Sequence, residues 1–293
     1  MLQITEDQVR ELLPMRECVL LMREVFKDLR TGAAQNQARR RLTLPNGSTL
    51  HSLAGAWGKY FGTKIYSSHP KVGANFFFLL FGAETARPLA QFEANYLGQI
   101  RTGAASGYAT DVLAAPDAST LAIIGSGFQA HAQFDAIRQV RAIKEVRVWS
   151  RNQEKREKFA SLIGATASET AEHALRGADI VATATSAKDP VLESAWIAAG
   201  THINAMGSNQ AQRRELPSDL VARADLIAVD SIEQAKIEAG DLLLAPVSWE
   251  DPRIIELSKV DARPAGSPVT IFKSLGLGVE DVAAAAFVYE QLL

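Results

Sequence analysis

The stretch that most constrains this chain runs from Ser119 to Arg151. A short apolar run, Leu121–Ile124, leads into Gly125-Ser126-Gly127-Phe128-Gln129-Ala130; a helical run and a second strand, Val146–Trp149, follow. A run apolar on both faces suits a strand buried inside a parallel sheet. The first glycine makes a tight turn, and the second lets the backbone approach a pyrophosphate. The small third residue lets the helix pack close to the strand. The helix start offers free N–H groups and a positive dipole end to the phosphates. The glycine pattern alone is weak; strand, glycines, helix and second strand in this order predict a dinucleotide-binding unit.

The residue closing the second strand reads the ribose. A carboxylate there would hydrogen-bond a 2′-hydroxyl and repel a 2′-phosphate. This chain has Ser150 and Arg151, with Lys155 and Arg156 close behind. A hydroxyl and a guanidinium favour a phosphate. The expected cofactor is NADP(H) in preference to NAD(H).

The pattern continues with strands at Asp179–Ala184, His202–Met206, Ala224–Val229 and Val269–Phe272, with a short helix at Ala195–Ala199. Alternating strands and helices predict a doubly wound parallel sheet. Its strand ends at Ser150, Thr185, Asn209 and Asp230 are expected to line the ligand crevice. Residues 241 to 268 read as proline-rich and irregular, and Glu280–Leu292 as an amphipathic helix.

The first third of the chain is built differently. Thr5-Glu-Asp-Gln8 fits a capping box, and Pro14 opens a helix with Cys18, Met22, Val25, Phe26 and Leu29 on one face and Gly32 as C-cap. Strands follow at Arg39–Leu44, Leu50–Ala56, Tyr60–Ser67, Ala74–Phe81 and Pro88–Glu93. No helix is available for crossovers, so this sheet is antiparallel or mixed. Phe76–Phe81 is apolar on both faces, which predicts cover on both sides by helices or by another subunit. Lys64 stands inside an otherwise apolar strand, where burial shifts a lysine's pKa readily. Asn95 is placed to cap a helix to Leu113, with Arg101 at the head of the small-residue face Gly103–Gly107, ready to hold an anion.

Composition narrows the partners. The 293 residues are 47% apolar with net charge −2, which gives no reason to expect nucleic acid or an anionic membrane. Cys18 is the only cysteine, so no intrachain disulfide forms, which suits a reducing cytoplasm. No secretory leader, membrane-spanning stretch or metal site is expected.

Several of these segments together resemble the ornithine cyclodeaminase/mu-crystallin family: Arg101-Thr-Gly-Ala-Ala, Ile124–Ala130, Thr201-His-Ile-Asn-Ala-Met-Gly207, Arg214-Glu-Leu, and Asp230-Ser through Glu-Ala-Gly-Asp241. The resemblance covers nearly the whole chain. It implies a homodimer acting on small α-imino or α-amino acids by hydride exchange with a nicotinamide at Cα. It also implies two domains: residues 1–114 plus 277–293 for substrate binding and dimerisation, and residues 115–276, of Rossmann type, for NAD(P).

By resemblance, Lys64 and Arg101 are the catalytic candidates. Arg39, Arg41, His51 and Leu275 are the substrate-binding ones. Gly125, Ser126, Gly127, Phe128 and Gln129 form the pyrophosphate loop. Ser150, Arg151, Thr185, Met206, Gly207, Asn209, Arg213 and Ser274 complete the cofactor set. Two positions depart from the family. His51 stands where many members carry a carboxylate-binding arginine, whose charge Arg39 or Arg41 would replace. Asn209 stands where cyclodeaminases carry a catalytic aspartate, and an amide does not titrate. The resemblance therefore points to an NAD(P)H-dependent imino-acid reductase or amino-acid dehydrogenase. A cyclodeaminase with bound NAD is the first alternative, with Glu215 or Asp230 supplying the missing acid. A non-catalytic protein that binds NADPH or a small ligand is the second.

Overall fold

The structure, a computed structural model, describes residues 1–293. It divides into two compact units. Unit 1 comprises Met1–Ala104 and Gly276–Leu293; unit 2 is Ala105–Leu275. The first boundary falls inside a helix, at Ala104/Ala105 and not at 114/115.

Unit 1 opens with β1 (Leu2–Ile4), a short strand with no sequence signal, then α1 (Glu6–Leu12) and α2 (Met15–Thr31). The capping box is formed: Thr5 accepts from the Gln8 amide, and the Gln8 side chain accepts from the Thr5 amide. Gly32 ends α2 at φ +78°, the left-handed C-cap that glycine adopts without strain. The strands β2 (Gln35–Thr43), β3 (Thr49–Trp57), β4 (Tyr60–His69), β5 (Gly73–Gly82) and β6 (Pro88–Glu93) follow. The sheet runs in the order β1-β6-β5-β4-β3-β2, antiparallel except for β1 beside β6. A bulge in β2 sets Ala38 and Arg39 opposite Leu53, and both are buried.

The two faces of this sheet differ. Leu53, Lys64, Phe78 and Phe92 share a row across the inner face and are buried. On the outer face Leu50, Phe61, Ile65 and Phe77 remain exposed, Phe77 by 47%. The chain thus covers Phe76–Phe81 on one side only.

Next comes α3 (Asn95–Leu113). Its first amides, those of Asn95 and Tyr96, each donate to the Glu6 carboxylate at 2.7 Å. The cap is therefore Glu6, brought from α1, and not the Asn95 side chain. A carboxylate there also meets the positive end of the helix dipole.

Unit 2 contains β7 (Thr120–Ile124), α4 (Phe128–Val140), β8 (Glu145–Trp149), α5 (Gln153–Ile163), β9 (Thr166–Ala167), α6 (Ala171–Leu175), β10 (Ile180–Thr183) and β11 (His202–Ala205). It continues through α7 (Ser218–Arg223), β12 (Leu226–Val229), α8 (Ile232–Glu238), α9 (Gly240–Leu243), β13 (Ile254–Glu256) and β14 (Thr270–Lys273). All eight strands are parallel, in the order β13-β12-β14-β11-β10-β7-β8-β9. The order reverses between β7 and β10, and such a switch point opens a crevice at the strands' carboxyl ends. Two details correct the sequence reading. Residues 241–268 contain the end of α9, β13 and a single turn at Leu257–Lys259, and the helix expected at Ala195–Ala199 is one turn at Ser194–Trp196.

The last helix, α10 (Gly278–Glu290), returns to unit 1. It is buried almost all round and not amphipathic; even Glu280 and Asp281 are inaccessible. Glycines let its start touch β3: a Cβ at Gly55 would lie 2.4 Å from the Val279 amide nitrogen, and one at Gly278 2.6 Å from the Ala54 carbonyl oxygen.

Replacing Glu6 with Ala is expected to cost about 1–2 kcal/mol of stability. Asn95→Ala should cost less than about 0.5 kcal/mol. Urea unfolding of the two variants measures both.

Candidate functional site

The crevice edge of unit 2 is shaped by backbone demands. Gly125 sits at φ +125°, and a Cβ there would come within 2.4 Å of the Ala184 carbonyl oxygen. Only glycine fits between β7 and β10 at that point. A Cβ at Gly127 would meet nothing within 4 Å, and no side chain caps the α4 amides. Open space above unpaired amides is a cradle for a phosphate. Phe128 is exposed beside it, and the Gln129 Oε1 is buried without a protein partner.

At the ribose end, the Ser126 and Ser150 hydroxyls lie 2.9 Å apart. Arg151 points outward, whereas Arg156 donates to the Ser150 carbonyl at 3.0 Å and keeps a buried Nε without a partner. The guanidinium held at this corner is thus that of Arg156.

The ends of β10 and β11 are tied by one carboxylate, that of Glu215, which the sequence offered only as an alternative acid. Glu215 accepts from the Thr183 hydroxyl at 2.8 Å, the Thr185 amide at 2.7 Å and the Gly207 amide at 2.7 Å. Burial, then the neighbouring Asp241, push its carboxyl above the ordinary range. Asp241 in turn accepts from the Glu215 and Leu216 amides and pairs with Lys273 at 2.9 Å. Lys273 also donates to the Ser208 carbonyl at 2.6 Å. The loops bearing Thr185, Met206, Gly207 and Asn209 are thereby fixed.

Other expectations are displaced. Asp230 does not line the crevice; it is buried and accepts the Leu275 amide at 2.7 Å. Leu275 is buried and packs in the unit 2 core. Ser274 is buried, and Arg213 donates to the Ser186 carbonyl at 3.4 Å.

In unit 1 the candidate residues converge on the inner sheet face. Lys64 Nζ lies 3.1 Å from Asp281 Oδ1, and Arg101 Nε reaches the same oxygen at 3.1 Å. Arg101 NH1 pairs with Glu280 Oε2 at 2.7 Å. The anions Arg101 holds are therefore the chain's own carboxylates, both from α10. Burial alone would weaken the Arg101 charge, but Asp281 and Glu280 outweigh it and hold the guanidinium above its ordinary value. For Lys64 burial prevails: its pKa falls to about 8, Asp281 opposing and Arg101 and Arg39 assisting the fall. Beside this cluster, Arg39 donates to the Tyr66 hydroxyl at 2.8 Å and to the Gly276 carbonyl at 3.3 Å. His51 stacks on Tyr66 with ring centroids 4.1 Å apart, and its Nε2 lies 2.9 Å from the Ser68 hydroxyl. Burial, then Arg41 and Arg39, lower its pKa to about 4, so this ring is neutral where an arginine would be charged. Arg41 itself is exposed.

Fold and crevice together define a Rossmann-type nucleotide-binding protein that carries a second, mixed-sheet unit. The chain matches the ornithine cyclodeaminase/mu-crystallin family over residues 1–293 and belongs to it. It is 38% identical over 217 residues to the mouse ketimine reductase mu-crystallin, covering 72% of this chain and 68% of that protein. The solved Δ1-pyrroline-2-carboxylate reductase of Thermococcus litoralis, in complex with NADH and L-proline, is 29% identical. It superposes with a TM-score of 0.93 over 99% of this chain and 97% of that one. A dimeric archaeal alanine dehydrogenase with bound NAD is 32% identical, with a TM-score of 0.92 over 99% of this chain and 95% of that one.

Glu215→Leu would strand two amides and a hydroxyl, and is expected to destabilise the protein by about 3–5 kcal/mol. Glu215→Gln retains an acceptor and should cost clearly less. Chemical unfolding of the two variants measures the difference.

Proposed function

We propose that this protein is an NAD(P)H-dependent oxidoreductase that reduces small α-imino acids, unit 1 holding the imino acid and unit 2 the nucleotide. The observation that carries the reading is the buried Lys64–Arg101 pair. Reduction of an imine needs a hydride at carbon and a proton at nitrogen. The nicotinamide, when bound, supplies the hydride. Lys64, with its pKa near 8, is an ammonium at neutral pH that gives up its proton readily. Arg101 stays charged throughout and attracts the substrate carboxylate. Arg39, the neutral His51 and Arg41 stand along the same face.

Cyclodeamination fits less well. It needs an acid that sheds and regains protons at one nitrogen. Asn209 cannot do so, and Glu215 and Asp230 are committed to backbone amides. No conversion of ornithine to proline is expected.

Two finer readings belong to the same proposal. NADPH is favoured over NADH, supported by Ser150, Arg151 and the partly unused guanidinium of Arg156. The chain forms a homodimer through the outer sheet face, supported by the exposed Leu50, Phe61, Ile65 and Phe77 and by the dimeric relative.

NADPH oxidation across a panel of cyclic imino acids, and of 2-oxo acids with amines, tests the activity. Lys64→Met is expected to lower kcat by about 10²–10⁴ with NADPH affinity retained; full kcat in that variant refutes the role of Lys64. For the cofactor, NADPH should bind about tenfold to a hundredfold more tightly than NADH. Ser150→Asp with Arg151→Ala and Arg156→Ala should reverse the order. Titration by nucleotide fluorescence reads both, and equal affinities in the parent overturn the preference.

A further inference from the structure

We infer that Asp281 is a positioning residue for this reduction: its carboxylate sets Lys64 and Arg101 in one arrangement and supplies the negative charge Lys64 needs to carry a proton. The inference rests on the reductase reading above. One oxygen, Oδ1, receives both Lys64 Nζ and Arg101 Nε, each at 3.1 Å. The position of that single atom therefore fixes the spacing of the two cations. The surroundings are cut to fit them. A Cβ at Gly98 would lie 2.3 Å from Lys64 Nζ, and one at Gly276 2.3 Å from Arg101 NH1. Glycine at both places leaves room for the two cationic heads. The other oxygen, Oδ2, is buried with no protein partner.

The groups around Lys64 and around the Asp281 carboxylate it meets come from five elements. Asp281 and Glu280 stand on α10, Arg101 on α3 and Arg39 on β2. The Phe76 ring, from β5, lies 5.4 Å from Nζ. Cys18, from α2, is a thiol whose proton is held firmly by burial and by Glu280, so it carries no charge here. Burial and two arginines drive the proton off Lys64, and Asp281 opposes them. In the reduction the imine carbon gains the hydride, the nitrogen takes a proton as the C=N π pair closes on it, and Lys64 passes from ammonium to amine. Water then returns a proton to Lys64. Asp281 gains and loses nothing; it keeps Lys64 in the form that starts the cycle.

Asp281→Asn removes the charge and keeps the shape. The titration of Lys64, followed by carbon-13 NMR of the lysine ε-carbons and assigned with Lys64→Arg, is expected to fall by about one pH unit or more. The alkaline limb of the kcat profile should move to lower pH by the same amount. Glu280→Gln, which removes the carboxylate paired with Arg101 NH1 and not the one paired with Lys64, should leave the Lys64 titration in place. A folded Asp281→Asn protein with an unmoved titration and an unmoved limb overturns the inference. A parent protein inactive on the whole imino-acid panel overturns the reductase reading instead, and the NMR titration still decides whether Asp281 governs Lys64. If the Asn variant does not fold, Asp281→Glu keeps the charge but shifts the carboxylate by one methylene. Its kcat should drop about tenfold or more with NADPH affinity unchanged, and parental kcat there overturns the inference.

Discussion

Four buried charges, Lys64, Arg101, Glu280 and Asp281, are the condition that the rest of unit 1 meets. Taking ions out of water is costly, and their attraction repays that cost only when geometry and hydrogen bonding are both good. The chain supplies the geometry by bringing α10 against β3 backbone to backbone, through Gly55 and Gly278. Alanines 283–286 then let the helix sink until nearly every side is covered. Removing any one of the four charges leaves its partners in a dry interior, so the cluster that carries the proposed chemistry is also a constraint on the folding of the unit. An Arg101 truncation, by the same logic, acts on stability before it acts on substrate affinity.

Unit 2 uses buried carboxylates differently. Glu215, Asp241 and Asp230 each accept from backbone amides in the loops that follow parallel strands, Asp241 pairing with Lys273 as well. Those loops would otherwise carry unsatisfied donors in a buried place. Each carboxylate therefore acts as a bracket for loop shape. The glycine cradle keeps its own amides uncapped, which leaves them to an incoming phosphate.

What was legible in the sequence was what is local. The strand–glycine–helix unit, the α1 capping box and the Gly32 C-cap depend on neighbours a few residues away, and all stand in the fold. Lys64 was visible because a lysine inside an apolar strand breaks a pattern. Its partners were not. Glu280 and Asp281 open a helix, where acidic residues are ordinary, and their meeting with Arg101 spans the whole inserted unit. Glu6 hid in the same way, as a routine first-turn acid that reaches a different helix. The outer face of β5 was legible only in part: apolar residues on both sides of a strand show that cover is needed, not whether the same chain or another subunit provides it.

The order of the chain has a consequence for how this protein is made. Unit 2 is an insertion, so the helix that completes unit 1 is synthesised only after the whole of unit 2. On the ribosome, Lys64 and Arg101 emerge long before Glu280 and Asp281. Until then the inner sheet face holds cations without their carboxylates and apolar rows without their covering helix. The inserted sheet has all its strands first and can close independently. Unit 1 therefore waits as an open half until Gly276–Leu293 follow unit 2 and close it. A stop codon a few residues before α10 would spare the nucleotide fold and leave the proposed chemistry with no carboxylate to organise it.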